Sequence, residues 1–199
     1  MKKIAKCFLI LFLLVVLIIL SAGIYVIVTI RQISNPDIIN LDNLNLYNNQ
    51  YEIYDSENKH ISTNSIAGQK TIEIESVPDF VPQAFVSIED KTFYQHSGLN
   101  YGRIIKAGVT NLLSGYAKEG ASTITQQLIK NIYLTNEKTL SRKIQEAYLA
   151  LKLEQAYPKE KILETYLNAI YFGNGSFGIE SAAQNYFGKS AASLTLPEA

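Results

Sequence analysis

From Cys7 to Ile30 the chain carries no charge at all. An apolar run of that length predicts one helix long enough to cross a bilayer. It exceeds the apolar core of an ordinary secretory signal, and no clear small-residue cleavage site follows it. A cleaved signal and the core helix of a soluble protein are the alternatives. The pattern then changes. Ile33 to Asn49 is polar and Asn-rich and contains Pro36, which reads as a stalk. Tyr51–Tyr54 reads as a short strand, Ser56–Asn58 as a turn and Lys59–Ile61 as a return strand. Thr71–Val77, with Ile72, Ile74 and Val77 apolar, reads as another extended piece.

Beyond Pro78 the apolar positions recur at helical spacing. Phe80, Val81, Phe85, Val86 and Ile88 form one face of a first helix, bracketed by Pro78 and Pro82, with Asp79 as a candidate cap. A second helix covers Arg103–Leu113 and ends at Ser114-Gly115. Tyr116 to Ala121, with Lys118 and Glu119, is a loop. Ser122–Leu134 is the third helix, anchored by Ile124, Leu128, Ile129 and Ile132; Ser122 reads either as its N-cap or as part of an anion-binding helix start. Leu140–Ala156 makes a fourth. Pro158 suits the first position of a fifth, which Ile162, Leu163, Tyr166, Leu167 and Ile170 continue. Gly173, Gly175 and Gly178 form an elbow. Ile179–Phe187 is a short helix stopped at Gly188, and Leu194–Ala199 begins a further element. The predicted fold class is mainly α behind one N-terminal transmembrane helix.

Charge sharpens the topology. Lys2, Lys3 and Lys6 precede the apolar run and Arg31 follows it, so the amino terminus is expected in the cytoplasm. The expected organisation is a cytoplasmic tail over 1–6, a transmembrane helix over 7–30, a stalk over 31–50 and a domain over 51–199. Lysine and arginine number 18, as do aspartate and glutamate; without the three leading lysines, 15 basic residues face 18 acidic ones. That balance offers no general attraction to nucleic acid, so an anionic ligand requires a local cluster. Cys7, the one cysteine, lies in the apolar run, which excludes an intrachain disulfide and a thiolate metal site. About 170 residues remain for one sizeable core.

Three groups of residues carry candidate chemistry. Glu89 and Asp90 stand side by side among apolar neighbours, with Phe93, Tyr94 and His96 close behind. A carboxylate in such surroundings is a candidate acid or base; the alternative is an acidic pair that serves a helix terminus. Ser122 and Thr123 lie where a helix start exposes N–H donors to an anion, and Gln126 and Gln127 follow on the next turn. Arg142 and Glu146 are four apart and Lys143 and Glu146 three apart, which places them on one helix face. A solvated ion pair explains that spacing as well as an inward-facing Glu146 does. Lys130, Arg142 and Lys143 could stabilise a phosphate-linked leaving group. His96 reads equally as structural or participating, and His60 as a surface residue. No metal-ligand motif, P-loop or dinucleotide fingerprint is present.

Five segments together resemble the family 51 glycosyltransferases, the peptidoglycan glycosyltransferase domains of class A penicillin-binding proteins and their monofunctional relatives. Glu89-Asp90 with Phe93, His96 and Gly98 is similar to the first motif. Gly120-Ala121-Ser122-Thr123-Ile124-Thr125-Gln126-Gln127 with Lys130-Asn131 is similar to the second, and Arg142-Lys143-x-x-Glu146 to the third. Lys161-Ile162-Leu163-Glu164-x-Tyr166-Leu167-Asn168 is similar to the fourth. Gly173, Gly178, Ala182, Ala183 and Tyr186-Phe187-Gly188-Lys189 are similar to the fifth. The resemblance covers about residues 50 to 199.

The resemblance implies a lysozyme-like helical fold with a membrane-proximal lobe. It implies polymerisation of lipid II into glycan strands, with Glu89 as general base and Glu146 as the second essential glutamate, acting on the donor side. Asp90, Ser122, Thr123, Gln126, Gln127, Lys130, Arg142 and Lys143 match positions lining the cleft. Expected partners are lipid II, the lipid-linked growing strand, the membrane, and cell-wall synthesis and division proteins. The resemblance also implies a divalent cation, magnesium or manganese, as an aid in some members. Asn100 stands where many relatives carry Asp, and Ala121 replaces a glycine. Family domains continue past Leu194, so the domain is expected to be incomplete at its C-terminus. No Ser-x-x-Lys transpeptidase centre is present. The rival functions are a lysozyme-like glycan-cleaving enzyme and an inactive membrane-anchored scaffold.

Overall fold

In a computed structural model, residues 2–33, 39–41, 50–65, 71–116, 120–134 and 137–199 are described. Most of the expected stalk, and Lys118 and Glu119 of the expected loop, lie outside the described residues. The chain begins with α1, Lys2–Arg31. Its apolar part spans Lys6–Arg31 and faces outward almost throughout, long enough at ~1.5 Å per residue to cross a hydrocarbon core. Strands β1 (Gln50–Tyr54) and β2 (His60–Ser65) pair antiparallel. The Asp55 carboxylate closes their turn by accepting from the Glu57 and Lys59 amides at 2.9 and 2.8 Å, an Asx-type cap. The return strand is thus longer than the Lys59–Ile61 expected, and His60 opens it.

Six further helices follow: α2 (Phe80–Glu89), α3 (Tyr101–Ser114), α4 (Ile124–Tyr133), α5 (Leu140–Ala156), α6 (Lys159–Ala169) and α7 (Ile179–Phe187). The core lies between α4, α5 and α6. Ile124, Leu128, Ile129, Leu153, Ile162, Leu163 and Leu167 are fully buried there, each contributing ~1.5–3 kcal/mol of apolar transfer free energy. Pro82 is tolerated in the first turn of α2, where an N–H has no helical partner to lose. Pro158 is the residue before α6 rather than its first.

Three expectations need correction. Thr71–Val77 is not a strand; it holds a single 3₁₀ turn, Ile74–Ser76. Its backbone is engaged by side chains instead of a neighbouring strand. Asn168 of α6 accepts from the Ile72 amide at 2.8 Å and donates to the Ile72 carbonyl at 2.9 Å. Glu164, one turn earlier, accepts from the Ile74 amide at 3.0 Å. The cap of α4 is Thr123, not Ser122: Thr123 and Gln126 form a reciprocal capping box, which satisfies two amides of the first turn. Asp79 precedes α2 without a side-chain capping bond. The segment from Leu194 closes in one 3₁₀ turn, Leu196–Glu198.

Two glycines are required by the packing. Gly98 (φ +95°) passes so close to α5 that a Cβ would lie 2.8 Å from the Ala150 carbonyl oxygen. Gly178 (φ +76°) would place one 2.7 Å from the Asn168 carbonyl oxygen. Either contact displaces backbone, not a flexible side chain. Asn100 caps α3 by accepting from the Arg103 amide at 2.9 Å while its NH₂ donates to Thr92 Oγ1 at 2.6 Å.

Candidate active site

The first turn of α4 is the hinge of the site. Its capping box fixes the direction in which Gln126 and Gln127 leave the helix. Gln126 Nε2 donates to Glu146 Oε1 at 3.1 Å, and Gln127 Nε2 donates to Glu89 Oε2 at 2.8 Å. Consecutive side chains of one turn therefore hold the two glutamates, Glu89 from the end of α2 and Glu146 from the middle of α5.

The two glutamates have opposite surroundings. Glu146 is buried, 1% exposed. Arg142 Nη1 donates to its Oε2 at 2.6 Å, and Lys143 Nζ contacts its Oε1. The same Lys143 ammonium donates to Ser122 Oγ at 2.7 Å. Two cations around one carboxylate leave a net positive end to the cleft, and Lys143 and Arg142 are only partly buried. Glu89 is half-buried, and among the described residues no cation meets its carboxylate; Arg103 meets its main-chain carbonyl instead, at 2.9 Å. Tyr166 reaches Gln127 Oε1 with its hydroxyl at 3.2 Å. Burial, and then the charge of Glu89, push the Tyr166 phenol well above the usual tyrosine range.

Asp90 belongs to the scaffold of the site. It has no exposed surface. Its Oδ2 accepts from His96 Nε2 at 2.8 Å and from the Ile124 amide at 3.2 Å, and Arg103 approaches its Oδ1 at 3.5 Å. A carboxylate on the first amide of α4 complements the positive helix end. His96 is held at both nitrogens: the Gly98 amide donates to Nδ1 at 3.2 Å and Nε2 meets Asp90. Thr123, also fully buried, donates to the Gly98 carbonyl at 2.7 Å. The structure thus places Glu89, Asp90, Ser122, Thr123, Gln126, Gln127, Arg142, Lys143 and Glu146 in one connected network. Lys130 lies one turn along α4 from Gln126, half-buried.

Behind the network, Glu154 accepts from Thr125 Oγ1 at 2.5 Å and from Lys159 Nζ at 2.6 Å. The Lys159 ammonium also sits 4.3 Å from the centroid of the Phe93 ring, a cation–π contact. This clamp ties α4, α5, α6 and the turn after Asp90 together. Arg103, Glu154 and the amide-locking role of Asn168 carry no signal at sequence spacing, because each acts across elements. Tyr166 and Asn168 lay within the fourth matching segment, but with no stated role.

The donor set does not suit a resident divalent cation. The oxygens of Glu146 are committed to ammonium, guanidinium and amide donors, and among the described residues no three of His, Cys, Asp and Glu stand together as ligands. No step below is routed through a metal.

Residues 57–199 match the family model described as Transglycosylase, a lysozyme-like fold, and the chain belongs to that family. It is similar to penicillin-binding protein 1A of Aquifex aeolicus, at 46% identity over 74% of this chain and 20% of that protein. It is similar to penicillin-binding protein 1A of Neisseria lactamica, at 43% over 82% of this chain and 21% of the relative. Penicillin-binding protein 1F of Bacillus subtilis is 41% identical over 74% of this chain and 21% of its own length. The chain spans about one fifth of the length of these curated relatives.

Proposed function

We propose that this chain is a peptidoglycan glycosyltransferase that polymerises lipid II, releasing undecaprenyl pyrophosphate. The observation that carries the reading is the asymmetry of the two glutamates held by α4 through Gln127 and Gln126: Glu89 beside neutral groups, Glu146 beside cations. Glu89 takes the proton from the acceptor sugar 4-hydroxyl as that oxygen attacks the anomeric carbon of the lipid-linked strand. The bond to pyrophosphate breaks, and the α-linked donor gives a β-1,4 product with inversion. Arg142, Lys143 and Lys130 receive the negative charge that develops on the leaving pyrophosphate, and Glu146 holds Arg142 and Lys143 in place. Ser122 and Gln127 complete the polar wall; Asp90, Thr123 and Gln126 support it from within.

The asymmetry speaks against glycan cleavage. A glycosidase of the two-carboxylate kind uses a second free carboxylate as nucleophile or base, and Glu146 is engaged by two cations. The apolar α1 supports a single-pass anchor over 7–30, with a cytoplasmic tail over 1–6, a stalk over 31–50 and the domain over 51–199 outside the cell. The exposed apolar face of α3, formed by Tyr101, Ile105, Val109, Leu112 and Leu113, supports contact of the domain itself with the bilayer. Cell-wall synthesis and division proteins are the expected protein partners.

Polymerisation of lipid II by the full-length protein in detergent tests the activity. Glycan lengthening is expected; shortening of finished strands without any lengthening would overturn it. Protease added outside intact spheroplasts is expected to digest the chain after Arg31, and full protection there would overturn the topology.

A further inference from the structure

Tyr166 lies in the middle of α6, 3% exposed. Its ring packs edge-on to Phe85, with centroids 6.5 Å apart. Phe85 is one turn before Glu89 on α2, so Tyr166 sits beneath the helix face that ends in Glu89. From there its hydroxyl donates to Gln127 Oε1 at 3.2 Å, while the other end of that amide, Nε2, donates to Glu89 Oε2 at 2.8 Å. The two ends of a primary amide have nearly the same shape but opposite hydrogen-bonding character. An ionised Glu89 accepts only and takes the NH₂ end. The Tyr166 hydroxyl, by donating to the amide oxygen, anchors the other end of the same group.

We propose that Tyr166 is a positioning residue for glycosyl transfer: its hydroxyl anchors the Gln127 amide oxygen and so holds the amide NH₂ in place on Glu89. The anchored amide holds one carboxylate oxygen of Glu89 and leaves the other for the acceptor hydroxyl. The proposal rests on the reading of Glu89 as general base. The phenol remains protonated across neutral and mildly alkaline pH, because burial and the facing carboxylate oppose its ionisation. Among the described residues, the charged groups bonded within this network meet partners other than the Glu89 carboxylate, and Lys130 stands half-buried on α4. Asp90 is held by His96, Arg103 and the Ile124 amide. Arg103 meets the Glu89 carbonyl, and Arg142 and Lys143 meet Glu146. Without the phenol, the amide loses its second anchor and holds the Glu89 carboxylate less firmly in place.

The test is lipid II polymerisation by the full-length protein in detergent, comparing the unaltered chain with Tyr166→Phe, Gln127→Met and the double variant. Thermal unfolding is followed in parallel. Tyr166→Phe keeps the ring and its contact with Phe85. It is expected to lower kcat about tenfold with little change in KM, the scale of one lost hydrogen bond. The acid limb of its kcat/KM profile is expected to move to higher pH. In the Gln127→Met background, Tyr166→Phe is expected to cost nothing more, because the path runs through the amide. If Tyr166→Phe fails to fold, Gln127→Met carries the test by its own fall in kcat and shifted limb. A role in packing alone predicts the same loss in both backgrounds and an unmoved acid limb, and that result would overturn the proposal. So would a folded Tyr166→Phe, or in its absence a folded Gln127→Met, working within about twofold of the unaltered chain. If the unaltered protein makes no glycan, the proposed function fails and takes this role with it; if it polymerises and the variants do too, only the role of Tyr166 is lost.

Discussion

Five of the buried and half-buried acids fall into two sets. Behind the cleft, Asp90, Glu164 and Glu180 each accept a main-chain amide from a distant part of the chain: Ile124, Ile74 and Ala191. In the cleft, Glu89 and Glu146 accept from side chains alone: Gln127, Gln126, Arg142 and Lys143. A main-chain amide cannot leave its partner without local unfolding, whereas a side chain can rotate and give its place to a substrate. The first kind of bond fixes a backbone; the second holds a charge ready. Glu89 and Asp90 make the contrast sharpest, since they are consecutive and belong to different sets. A single peptide bond joins the proposed base to the support of the helix that faces it.

The comparison predicts two distinct outcomes of substitution. The largest effect is expected for Glu89→Gln, which keeps the shape but removes the base. Its turnover should fall ~10²- to 10⁴-fold, with an unchanged melting temperature. A folded Glu89→Gln that makes glycan at a near-normal rate would remove Glu89 from the chemistry. Asp90→Ala should act in the opposite register. It strands His96, the Ile124 amide and half of the Arg103 contact, at a cost of about 3 kcal/mol of stability. In a domain of this size that lowers the melting temperature by about 6–12 °C. If calorimetry found Asp90→Ala as stable as the unaltered chain, the division into two sets would collapse.

Smaller effects sharpen the same line. Arg142→Ala should weaken binding of a pyrophosphate-lipid analogue by about tenfold, measured by titration, because a partly exposed guanidinium contributes only one charge-assisted contact. Unchanged affinity and turnover would take Arg142 out of the donor pocket. The smallest expected effect is on alkaline stability. The Tyr166 phenol is raised above its ordinary value of 10.0 by burial, then by Glu89. Above that ordinary value the unfolded chain gives up the proton while the folded chain keeps it. The folded state then binds more protons, and stability falls as pH rises. Denaturant titrations should therefore show Tyr166→Phe losing less stability than the unaltered chain between neutral pH and values above 10.

Much of this was legible in the sequence because α-helices declare themselves locally. The bounds of α5 and α7 follow from apolar spacing and, for α7, from Gly188 at its end. The inward turn of Glu146 was one of two readings of its spacing from Arg142 and Lys143, and the choice depended on α4 packing against α5. Long-range bonds left weaker signals. Thr71–Val77 alternates like a strand, yet its partner is a pair of side chains on α6, which no local pattern can encode. Ser122 and Thr123 are chemically equivalent caps; only the reciprocal bond with Gln126, three residues from Thr123, selects between them. The α3 face had a clear helical period, but periodicity cannot say whether such a face meets protein or lies exposed, and here most of it is exposed.

The tie between Asn168 and Ile72 also bears on the order in which the domain assembles. Ile72 leaves the ribosome 96 residues before its partner. Until α6 has formed, the amide and carbonyl of Ile72 lack their side-chain match, and the segment leading into α2 has little to hold its course. The helix that carries Glu89 is thus made early and secured late. Closing so long a loop delays it further. A pulse-labelled hydrogen-exchange experiment during refolding should find the Ile72 amide gaining protection together with α6, after α5 has formed. The proposed base would then come into position only when most of the domain has been synthesised, so a chain still emerging through the membrane would not begin to join sugars.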